Sequence, residues 1–267
     1  MSDFVDLHNH VLPIDDGAKD WDDALAMLKD AVESQISTVF VTPHIIPGGR
    51  YDPSVDVIKT FTLELNERTQ KENLPIEVKW GSEFQINSEV MDAIEKKRFL
   101  CYQDTSYLLV EFLRPYVHYG WVDQALDELV YQGVRIVIAH PERYFDDVVD
   151  ALETSYKWVK QGYHLQVNRN SLFRSAMPMH RKMALKLIDA GLVHCVASDA
   201  HHAKGKRRLM AKDTERILHT YFGKSKTKRL LVDNPHRLMR NEPLKAVKSR
   251  LTLRTWMMHL YIRYILK

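Results

Sequence analysis

Nine residues of this sequence, His8, His10, Asp16, His44, Glu83, Glu111, His140, Asp199 and His201, are candidates to hold divalent metal ions, and they arrive in short polar clusters separated by apolar runs. His8 and His10 flank Asn9, and Asp15-Asp16-Gly17 lies just beyond. Thr42-Pro43-His44, Gly81-Ser82-Glu83, Val110-Glu111-Phe112, Ala139-His140-Pro141-Glu142-Arg143 and Ser198-Asp199-Ala200-His201 follow in order. Imidazole and carboxylate suit Zn, Mn or Fe and need no thiolate. In extended chain His8 and His10 point the same way, so the pair can chelate one ion. A carboxylate such as Glu83 can bridge two ions. Cations held about 3.5–4 Å apart clamp a phosphate ester and sharpen a shared hydroxide for in-line attack on phosphorus. Arg143 follows His140 by three residues, and a guanidinium matches phosphate oxygens with paired hydrogen bonds. Lys206 and Arg207 offer a second positive wall, and Asn168 a group to orient a ligand or a water.

Each residue taken singly also has an ordinary structural role. Asp199 and His201 could cap a following helix, Asp16 could serve a turn with Gly17, and Arg143 could pair with Glu142 or Asp146. Glu111 is harder to place that way. It follows Leu108-Leu109-Val110 in an apolar strand, where an unpaired carboxylate would be costly. The two cysteines carry no chemistry of their own. A cysteine phosphatase needs an Arg six residues after its thiolate, but His201 stands six after Cys195 and Tyr107 six after Cys101. Cys195 reads as a buried structural thiol.

The polar clusters need elements that bring them together. Short β-branched runs predict strands near Phe4–Leu7, Thr38–Thr42, Ile76–Gly81, Tyr107–Phe112, Arg135–Ala139, His164–Val167 and Val193–Ala197. Amphipathic stretches between them predict helices near Trp21–Ser34, Pro53–Glu72, Ser88–Lys96, Trp121–Gln132, Val148–Gln161 and Ala176–Ala190. Two more follow, near Arg207–Thr220 and Lys226–Val232. Such alternation implies a parallel sheet with helices outside, and seven units nearly make a barrel. Every candidate cluster then falls at the C-terminal end of a strand, the face where barrel enzymes build their sites.

Composition agrees. At 267 residues the chain suits one α/β barrel of about 250 residues, and 45% hydrophobic with 27% charged residues excludes a disordered or fibrous chain. Two cysteines imply no disulfide framework and fit a reducing compartment. No signal peptide and no membrane span is apparent, so a cytoplasmic location is expected. Net charge is +3, yet residues 1–244 sum to −3 because six Lys or Arg follow Glu242. A mildly acidic body argues against a nucleic-acid partner.

These motifs resemble the PHP (polymerase and histidinol phosphatase) superfamily. The Asp-Asp-Gly and His-Pro-Glu-Arg-Tyr elements are most similar to the CpsB/CapC family, the bacterial manganese-dependent tyrosine phosphatases of capsule and exopolysaccharide loci. Asn234-Pro235 and Asn241-Glu242-Pro243 resemble that family's C-terminal end, so the likeness spans about residues 3–244. It implies a distorted (β/α)7 TIM-like barrel with up to three Mn²⁺ ions, Fe or Zn being alternatives. His8, His10, Glu83 and Asp199 would hold one ion. Glu83, Glu111 and His140 would hold a second, and Asp16, His44 and His201 a third. Arg143, Asp199 and His201 would be catalytic, and Arg143 with Lys206 or Arg207 would bind phosphate. The implied substrate is phosphotyrosine on a membrane-associated tyrosine autokinase. This chain is one residue shorter than the family pattern between His10 and Asp16.

Residues 245–267 lie outside the resemblance. Their apolar positions at helical spacing, with Arg250, Arg254 and Arg263 mostly elsewhere, predict a basic amphipathic helix. Such a helix lies on an anionic membrane surface, or packs on the barrel or on a second subunit. Competing functions are a PHP phosphatase of a small ester such as histidinol phosphate, a PHP exonuclease, an amidohydrolase, and a non-catalytic kinase-binding scaffold. An open mouth would favour a protein substrate, and a closed pocket a small one.

Overall fold

A computed structural model describes residues 4–205, 207–209 and 211–247. The elements in chain order are β1 (Phe4–Asp6), α1 (Trp21–Glu33), β2 (Ile36–Val41), β3 (His44–Ile45), α2 (Val55–Lys71), β4 (Glu77–Trp80), β5 (Glu83–Ile86), α3 (Val90–Glu95), β6 (Tyr107–Phe112), α4 (Gly120–Tyr131), β7 (Arg135–Ala139), α5 (Val148–Lys160), β8 (His164–Asn168), α6 (Pro178–Asp189), β9 (Cys195–Ala197), α7 (Lys212–Lys228) and α8 (Asn234–Met239). All strand pairs among the described residues are parallel: β1-β2-β4 in one sheet, β3-β5-β6-β7-β8-β9 in the other.

The two sheets are one barrel with two interrupted staves. Strand β2 continues through Thr42-Pro43 into β3, and β4 continues through Gly81-Ser82 into β5. Pro43 has no N–H for a ladder. A Cβ at Gly81 would come within 3.0 Å of the Tyr102 ring, so the chain is pinched there. Closure comes where β1 meets β9. Asp199 N–H donates to the His8 carbonyl at 2.7 Å, and His10 N–H donates to the Ala200 carbonyl at 2.8 Å. The Asp6 carboxylate accepts from Ser198 N–H at 2.8 Å and from Ser198 Oγ at 2.9 Å. The fold is therefore a distorted (β/α)7 barrel.

The side chains of the barrel wall sort by period two. Val39, Val41, Leu108, Val110, Ile136, Ile138, Leu165 and Val167 join one core with the surrounding helices. Phe40, Tyr107, Leu109, Val137, Ala139, Cys195 and Ala197 form a second, inner core, with Leu238 of α8 closing its lower end. Continuing each inward register upward turns apolar into polar: Phe40 leads to Thr42 and His44, Tyr107 and Leu109 to Glu111, and Cys195 and Ala197 to Asp199. The lower barrel is packed, and its upper rim faces the site. Cys195 belongs to the packed part, where burial pushes its thiol far above the ordinary range.

The helices are capped as their sequences direct. Asp20 accepts from Asp23 N–H at the start of α1, and Asp147 accepts from Val149 N–H at 2.7 Å at the start of α5. The two helices expected near Arg207–Thr220 and Lys226–Val232 are the two parts of α7, divided at Gly223 (φ 80°, ψ 167°), and the second runs on into a π-helical turn over Arg229–Asp233. The last stretch departs from expectation. The helix expected from residue 245 does not begin there. Lys245 N–H donates to Asn234 Oδ1 at 3.0 Å, and Val247 is buried with the main core. The remainder of that expected helix, and Lys206, lie outside the described residues.

Candidate metal centre

Five imidazoles and four carboxylates converge at the upper rim. Four overlapping sets have ligand atoms within 4.8 Å of one another: His10-Asp16-His44-His201, His8-Glu83-His140, His8-His10-Asp199 and His44-Glu83-Glu111. Together they contain all nine residues singled out from the sequence. Glu83 is at the centre. Its Oε2 lies 3.2 Å from His8 Nε2, 3.3 Å from His10 Nε2 and 3.3 Å from His44 Nδ1, and its Oε1 lies 2.8 Å from His140 Nε2. The sets differ from those implied by the resemblance: His8 also groups with Glu83 and His140, His10 joins Asp16, His44 and His201, and Glu111 groups with His44 instead of His140. His44 thus spans two sets, with Nδ1 3.2 Å from Glu111 Oε1 and Nε2 3.6 Å from Asp16 Oδ1.

Local backbone geometry aims these groups. His140 (φ 34°) and Asp199 (φ 50°) both sit in the left-handed region, which non-glycine residues rarely adopt and which often marks functional turns. Each turns the chain sharply at a strand end and brings its side chain over the barrel. The loop after His10 does the same for Asp15 and Asp16. Ala18 N–H donates back to the His10 carbonyl at 3.0 Å, and Gly17 N–H donates to Asp15 Oδ1 at 3.1 Å. A Cβ on Gly17 would lie 1.8 Å from the His10 carbonyl oxygen, so only glycine fits. Gly17→Ala should weaken divalent-metal binding by about 10- to 100-fold, the range seen when a ligand loses its orienting partner. Metal titration checks this, and wild-type affinity in the variant would show that the loop has no part in the site.

Of the residues that orient the ligands, sequence reasoning offered Asn168 and missed Asp15 and Gln166. Asp15 Oδ2 accepts from His10 Nδ1 at 2.6 Å, which leaves Nε2 to face the cluster. His8 Nδ1 donates to Gln166 Oε1 at 2.8 Å, with the same result. Gln166 Nε2 then donates to Asn168 Oδ1 at 2.8 Å, and Asn168 Nδ2 to Asp199 Oδ2 at 2.5 Å. A chain of hydrogen bonds thus joins two candidate ligands from behind. The available signal was Gln166 and Asn168 at period two in a buried strand.

Two guanidiniums bound the site on the solvent side. Arg143 Nη1 lies 2.8 Å from Asp199 Oδ2, and Arg207 Nη2 lies 2.7 Å from Asp199 Oδ1. Arg143 pairs with neither Glu142 nor Asp146. Glu142 instead accepts from Asn168 N–H at 3.0 Å and Ser171 Oγ at 2.6 Å. Asp16, whose side chain is 43% exposed, is the most open of the nine. The loop carries it to 3.3 Å from His201 Nε2 despite being one residue short.

The donor set suits divalent cations. The Nε2 atoms of His8 and His10 face each other at 3.4 Å, and His140 Nδ1 is buried without a partner. The crowded carboxylates draw positive charge. Burial pulls His10 down, but the charge and hydrogen bond of Asp15 and the hydrogen bond of Glu83 together overcome it and lift it to about 9. Burial likewise opposes, and Glu83 and Glu111 overcome, at His44, which rises to about 10. His201 is pushed down to about 4 by burial and by His10. Nitrogen and oxygen ligands around several buried carboxylates meet that demand best with divalent ions.

A family profile described as capsular polysaccharide synthesis, CpsB/CapC, matches residues 4–240. The chain is 34% identical over 253 residues to the tyrosine-protein phosphatase YwqE of Bacillus subtilis (strain 168), covering 92% of this chain and 97% of that one. It is 27% identical over 248 residues to the tyrosine-protein phosphatase CpsB of Streptococcus pneumoniae, covering 89% and 99%. Crystal structures of YwqE and CpsB are described as those of unique metal-dependent tyrosine phosphatases. One superposes with a TM-score of 0.80 at 32% identity, covering 91% of this chain and 99% of that one. A β-aspartyl dipeptidase from Fervidobacterium islandicum superposes with a TM-score of 0.54 at 11% identity, over 89% of this chain and 75% of that one, which is a likeness of fold.

Proposed function

The chain belongs to the CpsB/CapC family, and from that premise we propose that it is a metal-dependent protein-tyrosine phosphatase whose nine rim residues are its metal ligands. The observation that carries this reading is the convergence of all nine in overlapping ligand sets at the upper rim, four of the imidazoles on Glu83, with Arg143 and Arg207 beside them. Divalent ions held there would supply charge to the phosphate oxygens and make a nearby water nucleophilic. The protein's own part is placement. Asp15 and Gln166 fix the rings of His10 and His8, and the packed inner core keeps water from below. Arg143 binds the phosphate oxygens, with Arg207 as the second positive wall. Asp199 holds both guanidiniums in line with the ligands, and His201 stands beside it with Nδ1 at 3.4 Å.

The finer assignment is Mn²⁺ as the metal and phosphotyrosine on a membrane-associated tyrosine autokinase, one that governs capsule or exopolysaccharide assembly, as the substrate. Phosphate release from a tyrosine-phosphorylated peptide, after chelation and after adding Mn²⁺ back, tests the reading. Activity should return in the wild type and not in His8→Ala. A folded wild type that releases nothing with any divalent metal would overturn it and turn attention to small esters such as histidinol phosphate.

No helix among the described residues is long and apolar enough to cross a membrane. We place the barrel and the C-terminal tail in separate roles. Residues 245–267 hold six Lys or Arg and no Asp or Glu. That excess supports contact with an anionic membrane surface near the kinase. Deleting residues 248–267 should abolish binding to phosphatidylglycerol vesicles, and unchanged binding would remove the membrane role.

A further inference from the structure

A groove of about 510 Å³ borders the site on the β8–β9 flank, and its walls include Arg143 and Arg207, the same guanidiniums that hold Asp199. The floor runs along Phe173, Ala176 and Met177, in and after the turn that follows β8, and Met177 is 63% exposed. Beneath it the Arg169 guanidinium lies 4.7 Å from the Phe173 ring centre. Arg208 stands at the rim and pairs with Asp30 through two hydrogen bonds of 2.8 Å.

Charge in this groove is one-sided. Four arginines line it, and Asp213 is the one acid among its lining residues. Arg143 and Arg207 share the single charge of Asp199, so the wall nearest the site keeps a positive surplus. A pocket for a small ester surrounds most of its ligand's surface. This groove instead leads sideways from the phosphate-binding arginines and offers apolar floor and positive wall together.

Resting on the phosphatase reading, we propose that the groove binds the polypeptide flanking the phosphotyrosine and selects acidic residues there, with an apolar side chain laid on Phe173 and Met177. Specificity then comes from two contacts that a free phosphate ester cannot make. The carboxylates meet the field of Arg169, further along the groove than the phosphate-binding Arg143 and Arg207, and the apolar residue covers Met177. A substrate flanked by lysines would bring like charge against that wall.

The test uses peptides in which the phosphotyrosine is replaced by its non-hydrolysable difluoromethylphosphonate analogue, flanked on each side by Glu, Ala or Lys. Binding to the Mn²⁺-loaded protein is measured by fluorescence anisotropy. The Glu-flanked peptide should bind about five- to tenfold tighter than the Lys-flanked one, the size given by one or two exposed ion pairs. Ser175 is exposed on the lining of the groove. Ser175→Glu should shrink that preference and Ser175→Lys should enlarge it. Equal binding of Glu- and Lys-flanked peptides by the wild type, or a preference that neither variant moves, would overturn the groove. Turnover of 4-nitrophenyl phosphate, which has no flanking chain, reports separately on the phosphatase reading. Turnover with indifferent peptide binding removes the groove alone. Selective binding without turnover keeps the groove and removes the activity.

Discussion

Glu83→Gln should strip the protein of divalent metal and lower phosphate release by on the order of 10³-fold, while leaving the barrel folded. The expectation follows from position. Glu83 has four imidazoles within 3.3 Å, drawn from β1's exit loop, β3 and the end of β7, so one carboxylate serves three staves. Glutamine has the same shape and fills the same buried space, so no cavity forms. It has lost the negative charge and one acceptor, and it puts an N–H₂ where a cation would sit. Neighbouring carboxylates cannot replace it. Glu111 reaches His44 at 3.2 Å but stands 3.8 Å from His140, and Asp199 is committed to two arginines. Metal content by elemental analysis and turnover of a phosphotyrosine peptide read the two effects. The wild-type melting temperature should rise with added Mn²⁺ through binding to the folded state, and that of Glu83→Gln should not. Near-wild-type turnover in the variant would remove Glu83 from the centre of the mechanism.

The legible part of this site was the part written in strand periodicity. His44, Glu111 and Asp199 each extend an inward register whose lower members are apolar, so their side chains had to point over the barrel once the strands were placed. The barrel itself followed from seven strand-helix units. What stayed hidden depends on contacts between distant residues. Asp15 stood in the Asp-Asp-Gly cluster without a role of its own, yet it fixes the His10 ring. Gln166 lay unremarked inside the expected strand His164–Val167, yet it joins His8 to Asp199 through Asn168. No spacing rule links positions 8, 166 and 199, because closure between β1 and β9 creates that neighbourhood. The break expected between Thr220 and Lys226 is present: Gly223, with a positive φ and an extended ψ of 167°, interrupts the helix there. Lys245 to Val247 looked like the start of a tail, and a pair of hydrogen bonds to Asn234 returns them to the body.

Acid should unfold this protein in part through a residue far from the metal centre. His194 precedes β9 at the lower end of the barrel and is 6% exposed. Its Nδ1 accepts from Leu165 N–H at 3.2 Å, so the folded state needs the neutral ring. The His164 ring is 4.8 Å away, and Asn234 Nδ2 donates to the His194 carbonyl at 2.8 Å. Burial first, and then His164, push His194 down to about 3. In the unfolded chain a histidine titrates near 6.5. The folded value lies below the unfolded one, so this stability is present above about pH 6.5 and is lost as pH falls toward 3. The loss amounts to about 2 kcal/mol by pH 5 and about 4 kcal/mol by pH 3. His164 is also lowered by burial and acts in the same direction. Urea unfolding of chelator-treated protein at pH 7.5 and pH 5.0 isolates the effect from metal release, which acid would also cause. Histidines of the metal centre contribute equally to wild type and to His194→Gln, a variant that can still accept from Leu165 but cannot titrate. The wild type should therefore lose about 2 kcal/mol more than the variant between the two pH values. Equal losses would mean that His194 is not held neutral, and that the acid sensitivity of the barrel lies in the metal-binding rim instead.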